Sequence, residues 1–112
     1  MDRGGECSNG LAFQRLAQIM GCKWSMGILD SIDRGIKRPS SISRELDGIS
    51  TKVLHRCIGK LESEGFLVRQ SFDEIPPHVE YSFSDEGRVL MEMIQNVRSL
   101  AGRWNTLEPL EL

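Results

Sequence analysis

The 112-residue sequence predicts a single, mainly α-helical domain that carries one small β-hairpin. Three observations support this fold class. Apolar residues recur every three or four positions in five stretches, which is the period of an amphipathic helix. Only the stretch 78–83 clearly alternates apolar and polar residues, as a half-buried strand does. The length suits one domain, since domains commonly contain about 100–150 residues.

The first two helices are predicted before and after a glycine break. The first spans 11–20, where the apolar side chains share one side, and Gly21 ends it. The second runs from Trp24 to about Gly35. Residues 1–10, which include two adjacent glycines, are predicted to form a flexible N-terminal arm. The domain is expected over 11–104 and a C-terminal tail over 105–112.

The third and fourth helices are predicted to form a helix-turn-helix. Pro39 opens the third, Ser40 or Ser41 is expected to cap it, and Asp47-Gly48 stops it. Ser50 is the predicted N-cap of the fourth. The apolar stripe of the fourth helix consists of Leu54, Cys57, Ile58 and Leu61. Two helices joined by so few residues, with a glycine in the turn, are typical of this motif.

A hairpin and a final helix complete the chain. Strands are predicted at Phe66–Phe72 and Val79–Phe83, with Pro76-Pro77 in the loop between them. Ser84 is expected to cap the last helix. The apolar face of that helix consists of Leu90, Met93, Ile94, Val97, Leu100 and Trp104. Four helices, a hairpin and a helix are the layout of a winged helix-turn-helix, whose second motif helix enters the major groove.

Composition and motifs exclude several classes of protein. No stretch approaches the ~20 apolar residues of a membrane span, and the N-terminus lacks the apolar segment of a secretion signal. Three cysteines at long spacings favour a reducing compartment, so a cytoplasmic location is expected. The common phosphate-loop, dinucleotide, zinc-protease and hydrolase motifs are missing. We therefore expect no enzyme activity, no cofactor and no metal site.

Charge is unevenly distributed along the chain. The stretch 34–60 holds seven basic and two acidic residues, a net of +5, whereas the whole chain has a net charge of −2. The remainder must therefore carry −7. Such a basic middle is compatible with nucleic-acid binding on one face. The alternative is a solvated surface on which the two signs happen to segregate.

The fourth helix carries the candidate DNA contacts. Lys52, Arg56 and Lys60 are spaced four apart opposite the apolar stripe, and we call them the basic stripe. These cations would hold phosphates. The other predicted DNA-binding residues are Ser50, Thr51 and His55 near the bases, Arg38, and Arg69 and His78 on the hairpin. The alternative is an exposed helix face that is simply basic.

The run from Gly21 to Arg88 resembles the HxlR-type regulators, which are winged-helix transcription factors related to the MarR type. The matching segments, in order, are Gly21-Cys22-Lys23-Trp24, Gly48-Ile49-Ser50, Leu61-Glu62-Ser63-Glu64-Gly65-Phe66, Pro76-Pro77-His78-Val79-Glu80-Tyr81-Ser82 and Gly87-Arg88. The resemblance implies a homodimeric regulator that binds a pseudo-palindromic operator on double-stranded DNA. It names no effector, and no membrane partner is expected.

The resemblance also implies dimerisation through the first and last helices. The candidate interface residues are Phe13, Leu16, Met93, Val97, Leu100 and Trp104. The alternative is that Leu100 and Trp104 pack within the monomer. Several members of the family carry a sensor cysteine shortly before the first helix, and Cys7 has a comparable place; the alternative is a passive surface thiol. Cys22 and Cys57 are expected to be buried or in the core.

Two other functions are alternatives to DNA binding. A winged helix can be a protein-interaction module that binds no DNA, although the basic stripe favours DNA. A thiol redox enzyme would need a second cysteine close to Cys7 in the sequence, and no CxxC motif is present.

Overall fold

The computed structural model describes the backbone of residues 3–105 and the side chains of residues 10–104. The described chain forms five helices and one two-stranded antiparallel sheet. These elements are α1 (Arg3–Met20), α2 (Lys23–Asp33), α3 (Pro39–Glu45), α4 (Thr51–Ser63), β1 (Leu67–Phe72), β2 (His78–Phe83) and α5 (Asp85–Asn105). The predicted fold class and the order of elements are confirmed.

Local sequence signals account for most helix boundaries. The Ser50 hydroxyl accepts a hydrogen bond from the Val53 amide at 3.1 Å, which confirms the predicted N-cap of α4. The Ser84 hydroxyl likewise accepts from the Gly87 amide at 3.0 Å at the start of α5. Gly48 has φ +91° in the turn between α3 and α4. This left-handed conformation suits glycine, and it lets the chain reverse within a few residues.

Two predicted boundaries are wrong. The first helix begins at Arg3, not at residue 11, so that the predicted arm over 1–10 is helical from residue 3 onward. An already nucleated helix extends cheaply, even across glycine. Neither Ser40 nor Ser41 caps α3, because the helix already starts at Pro39 with Arg38 in the cap position and no side-chain cap. Proline supplies helical φ and lacks the amide that a cap would satisfy. Residues 106–112 of the predicted tail lie outside the described residues.

The core lies where α2, α3, α4 and the first half of α5 meet. Its fully buried apolar side chains are Ile28, Leu29, Ile42, Leu54, Ile58, Leu61, Leu90 and Ile94. Burying each such side chain stabilises the fold by about 1.5–3 kcal/mol. Because α4 buries only one narrow face here, its opposite face is left on the surface.

The hairpin and α5 are fixed to this core by polar contacts. Leu67 pairs with Phe83 at the base of the hairpin, and the Tyr81 amide donates to the Lys37 carbonyl at 3.0 Å. Arg98 on α5 forms two hydrogen bonds, of 2.6 and 2.8 Å, with the Asp30 carboxylate on α2. The Asp30 hydrogen bonds raise the pKa of Arg98. No described helix is long and apolar enough to cross a membrane.

Candidate nucleic-acid interface

The basic stripe lies on the exposed face of α4. The opposite face of α4 packs into the core through the buried side chains of Leu54, Ile58 and Leu61. All three cations of the stripe are exposed, as are His55 and Gly59 on the same side. Within residues 10–104, no carboxylate forms a salt bridge with Lys52, Arg56 or Lys60. Their charges are therefore available to an external anion such as a phosphate.

The N-terminal end of α4 presents two hydroxyl side chains. Ser50 and Thr51 are both exposed. The Ser50 oxygen is occupied by the Val53 amide, so that its structural task is to start the helix, although its hydroxyl hydrogen remains free to donate. Thr51 has no such capping role. The backbone amides of this first turn also carry the positive end of the helix dipole, which favours a nearby phosphate.

Arg38 and His78 are brought together by an acid that the sequence analysis did not single out. The Glu80 carboxylate lies 3.8 Å from Arg38 Nε and 3.3 Å from His78 Nε2. The His78 ring also stacks on Phe72, with 4.7 Å between ring centroids, and its side chain is only 15% exposed. His78 is therefore not a plain exposed histidine. The carboxylate of Glu80 weakens the attraction of Arg38 for phosphate. The His78 ring lies beside the same carboxylate and beside that of Glu74, whose oxygen is 3.7 Å from His78 Nδ1.

The hairpin projects Arg69 from the middle of β1. Arg69 is exposed and pairs in register with Tyr81, several residues from the tip. The tip itself holds Ile75, which is fully exposed and precedes a cis peptide bond to Pro76. Arg69 is thus positioned to contact a surface alongside the hairpin, whereas the tip offers an apolar side chain.

The predicted dimer residues fall into two groups. The four predicted residues on α5 are all exposed and, together with the exposed Val89, follow one side of that helix. We call these five residues the apolar stripe of α5: Val89, Met93, Val97, Leu100 and Trp104. Leu100 and Trp104 are 56% and 58% exposed, so that they do not pack within the monomer. Val89 was missed by the sequence analysis because it precedes the buried Leu90.

On α1, the two predicted interface residues differ from each other. Phe13 is 71% exposed, whereas Leu16 is partly buried against the protein's own core. Leu16 therefore has a structural role in the monomer. It also lines, with Val89 and Met93, an apolar pocket of 360 Å³ between α1 and α5. This pocket is continuous with the apolar stripe of α5.

Cys22 and Cys57 lie beside the basic stripe rather than deep in the core. Both are half-buried, and they line one pocket of 280 Å³ together with Ser25, Arg56 and Lys60; we call it the thiol pocket. A hydrogen bond from the Ser25 hydroxyl lowers the pKa of Cys22. Burial raises the pKa of Cys57. The side chain of Cys7 lies outside the described residues.

The chain is similar to known transcriptional regulators. The model of the HxlR-like helix-turn-helix family matches residues 19–109. The HTH-type transcriptional regulator sll1512 of Synechocystis is 32% identical over 98 residues, which cover 88% of this chain and 73% of that protein. A structure from Enterococcus faecalis, described as a MarR-family transcriptional regulator, matches with a TM-score of 0.77 at 28% identity, covering 86% of this chain and 87% of that one.

A second solved protein is similar in two states. The reduced form of the transcriptional regulator YodB from Bacillus subtilis matches with a TM-score of 0.73 at 26% identity, covering 88% of this chain and 94% of that one. Diamide-treated YodB matches with a TM-score of 0.68 at 27% identity, covering 82% and 89%.

Proposed function

This chain belongs to the HxlR-like helix-turn-helix family of transcriptional regulators, and we propose that it binds a pseudo-palindromic DNA operator as a homodimer. In this proposal α4 enters the major groove, and Thr51 and His55 lie nearest to the bases. The basic stripe and Arg69 hold phosphates. The protein acts in the cytoplasm, where the DNA is, and no catalytic reaction is assigned to it.

The observation that carries DNA binding is the set of unpaired cations on α4. Each phosphate that a protein neutralises releases condensed counterions, so that the logarithm of the binding constant falls with the logarithm of the salt concentration by about 0.9 per phosphate. A homodimer would present each cation of the stripe twice. Removing two cations per protomer should therefore reduce this salt dependence by about 3.5 units.

The test measures fluorescence anisotropy of a labelled duplex at several salt concentrations, with reduced protein. The variant Arg56→Gln/Lys60→Gln removes two stripe cations, and glutamine keeps helix propensity nearly unchanged. The matched control is Arg34→Gln/Arg88→Gln, which removes the same charge from the end of α2 and from α5; both residues are exposed, and Arg34 already pairs with Glu45. Equal salt slopes for the two variants would refute a role for the stripe.

Complete absence of binding at low salt would favour the alternative function. Under that outcome the helix-turn-helix would be a protein-interaction module, and its basic stripe would meet an acidic protein surface. Duplex binding by the wild-type protein decides against this alternative.

Dimerisation is supported by the apolar stripe of α5. Contiguous exposed apolar side chains of this size are uncommon on a monomer and mark interaction surfaces. Burial between two copies would also cover the adjoining pocket on α1. We expect Leu100→Glu to convert the dimer to a monomer in sedimentation velocity, because the charge would be buried without a partner. The control Ser99→Glu adds the same charge at an exposed position of α5 outside the apolar stripe, about 100° around the helix from Leu100, and should leave the dimer intact. A monomeric wild-type protein would refute this part of the proposal.

Thiol-dependent control of DNA binding is a further part of the proposal. The similar protein YodB was solved both in a reduced form and after diamide treatment. Cys7 is the candidate sensor that the family resemblance implies, with a passive surface thiol as the alternative. If Cys7 is a sensor, the Cys7→Ser protein should lose less duplex affinity on oxidation than the wild type; an equal loss in both would assign that loss to other thiols.

A further inference from the structure

The thiol pocket places two cysteines from distant parts of the chain against each other. Cys22 is the residue directly before α2, and Cys57 lies in the middle of α4. Both thiols are free and line the same pocket, and they lie near enough for each to shift the pKa of the other. Because the pocket is an open space of 280 Å³ and both thiols are only half-buried, a small reagent can reach them.

The two thiols differ in chemical character. The Ser25 hydroxyl and the amides of the first turn of α2 face the Cys22 sulfur and lower its pKa. Cys57 packs partly against the core, and burial raises its pKa. The thiolate is the nucleophilic form of cysteine. Cys22 is therefore the thiol that attacks the oxidant first. Cys57 is the thiol that then attacks the oxidised Cys22.

We propose that Cys22 and Cys57 are a reactive pair that a hydroperoxide converts to an intramolecular disulfide, and that this bond weakens DNA binding by α4. The second half of this inference rests on the proposed function. The first half concerns only the chemistry of the thiol pocket. It assigns the reaction to residues other than Cys7.

The reaction proceeds in two balanced steps. The Cys22 thiolate attacks one peroxide oxygen, the O–O bond breaks, and the departing oxygen takes up a proton and leaves as an alcohol or water. Cys22 becomes a sulfenic acid, oxidised by two electrons as the peroxide is reduced by two. The Cys57 sulfur then attacks the Cys22 sulfur and displaces hydroxide, which leaves as water with the Cys57 proton. Arg56 and Lys60 line the pocket, and their charges favour the anions that form there.

The disulfide would act directly on the basic stripe. A disulfide holds its two Cα atoms about 4.4–6.8 Å apart, with a dihedral near ±90°, so that closing it would adjust the position of α4 against the start of α2. Arg56 precedes Cys57 in the chain and Lys60 follows it by less than one turn. Both side chains would move with the backbone of α4. They would then lose their alignment with the phosphates of the operator, whose position is also set by the hairpin and by the other protomer.

The experiment uses the full-length Cys7→Ser protein, so that only the proposed pair can react. The protein is treated with hydrogen peroxide, and linked peptides are identified by mass spectrometry. We expect a Cys22–Cys57 link within one chain. Affinity is measured on the duplex that the reduced protein enriches from a randomised pool. It should fall at least about fivefold, the lower end of usual coupling between two sites on one domain, and return with a reducing agent.

Two variants serve as controls. Cys57→Ser in the same background should stop the link and leave a Cys22 sulfenic acid that a dione probe captures. Cys22→Ser should abolish both products; serine is a favourable N-cap residue, so that α2 should be retained. Circular dichroism of each variant checks the fold.

The outcomes separate this inference from the proposed function. Free Cys22 and Cys57 thiols after treatment of a DNA-binding protein overturn the inference, as does a link that leaves affinity unchanged. If the reduced protein enriches no duplex, the proposed function fails. In that case the peptide map alone decides whether the thiol pair reacts as proposed.

Discussion

Gly87 lies where the C-terminal helix α5 approaches the hairpin most closely, against Phe66 and Phe83. It lies in the first turn of α5, against the backbone that enters β1. A Cβ atom at Gly87 would overlap the Phe66 carbonyl oxygen and lie 3.3 Å from the Phe83 Cβ. The Ser84 amide donates to the same Phe66 oxygen at 3.1 Å. Because a Cβ needs about 3 Å or more from a backbone oxygen, alanine would force α5 away from β1.

The substitution Gly87→Ala should therefore destabilise the protein strongly. Losing the Ser84–Phe66 hydrogen bond costs about 1–3 kcal/mol where the groups are buried. Strained repacking of α5 adds about 1–3 kcal/mol, and the better helix propensity of alanine returns about 1 kcal/mol. The net loss of about 1–5 kcal/mol has a midpoint near 3 kcal/mol, which corresponds to a Tm lower by on the order of 15 °C for a domain of this size.

Thermal unfolding followed by circular dichroism measures this loss at one fixed protein concentration. The matched control is Gly102→Ala, the same substitution in the same helix, where nothing lies within 4 Å of the added Cβ. The control should raise the free energy of unfolding by about 1 kcal/mol. A Gly87→Ala protein that melts within a few degrees of wild type would refute the close approach of α5 to β1.

Three further predictions concern the candidate interface. Gly59→Ala, at a position with open space around it, should raise the free energy of unfolding by about 1 kcal/mol in denaturant titrations. Glu80→Gln removes the negative partner of Arg38 and should free that side chain to contact a phosphate. The slope of the logarithm of the binding constant against the logarithm of the salt concentration, measured by anisotropy, should then steepen by about 1 for each new phosphate contact. Cys22, whose pKa is lowered, should react with iodoacetamide at lower pH than Cys57, whose pKa is raised, as shown by peptide mass spectrometry across a pH series. A reversed order of the two thiols would contradict the roles assigned to them.

Features set by short stretches of sequence were predictable. The cap at Ser50, the buried face of α4 and the exposed basic stripe depend on residues within four positions of one another. Helix periodicity fixes such relations before any tertiary contact forms. The hairpin was found for the same reason, since strand alternation and the prolines between the strands are also local signals.

Features set by tertiary contact were not predictable from the same signals. Glu80 faces His78 because they are two positions apart on one strand, but its contact with Arg38 depends on how the sheet packs beside α3. Cys22 and Cys57 meet only because α4 crosses the start of α2. The helical pattern of α4 correctly predicted that Cys57 lies on the flank of an apolar stripe. It could not predict that Cys22 lines the same pocket.

The placement of acids explains how a chain of net charge −2 can present a binding face for DNA. Arg34 pairs with Glu45 at 3.2 Å, and Arg38 pairs with Glu80 at 3.8 Å. Both arginines belong to the basic stretch 34–60. Glu45 is one of the two acids already counted in its net of +5, whereas Glu80 lies outside the stretch and offsets one further positive charge away from α4. The basic stripe has no such partner among the described side chains. Since charges further apart than about 8 Å are largely screened at physiological salt, the field that a phosphate meets at α4 is set by the stripe and not by the net charge. The salt dependence of duplex binding should therefore follow substitutions on α4, even in variants whose net charge is held constant.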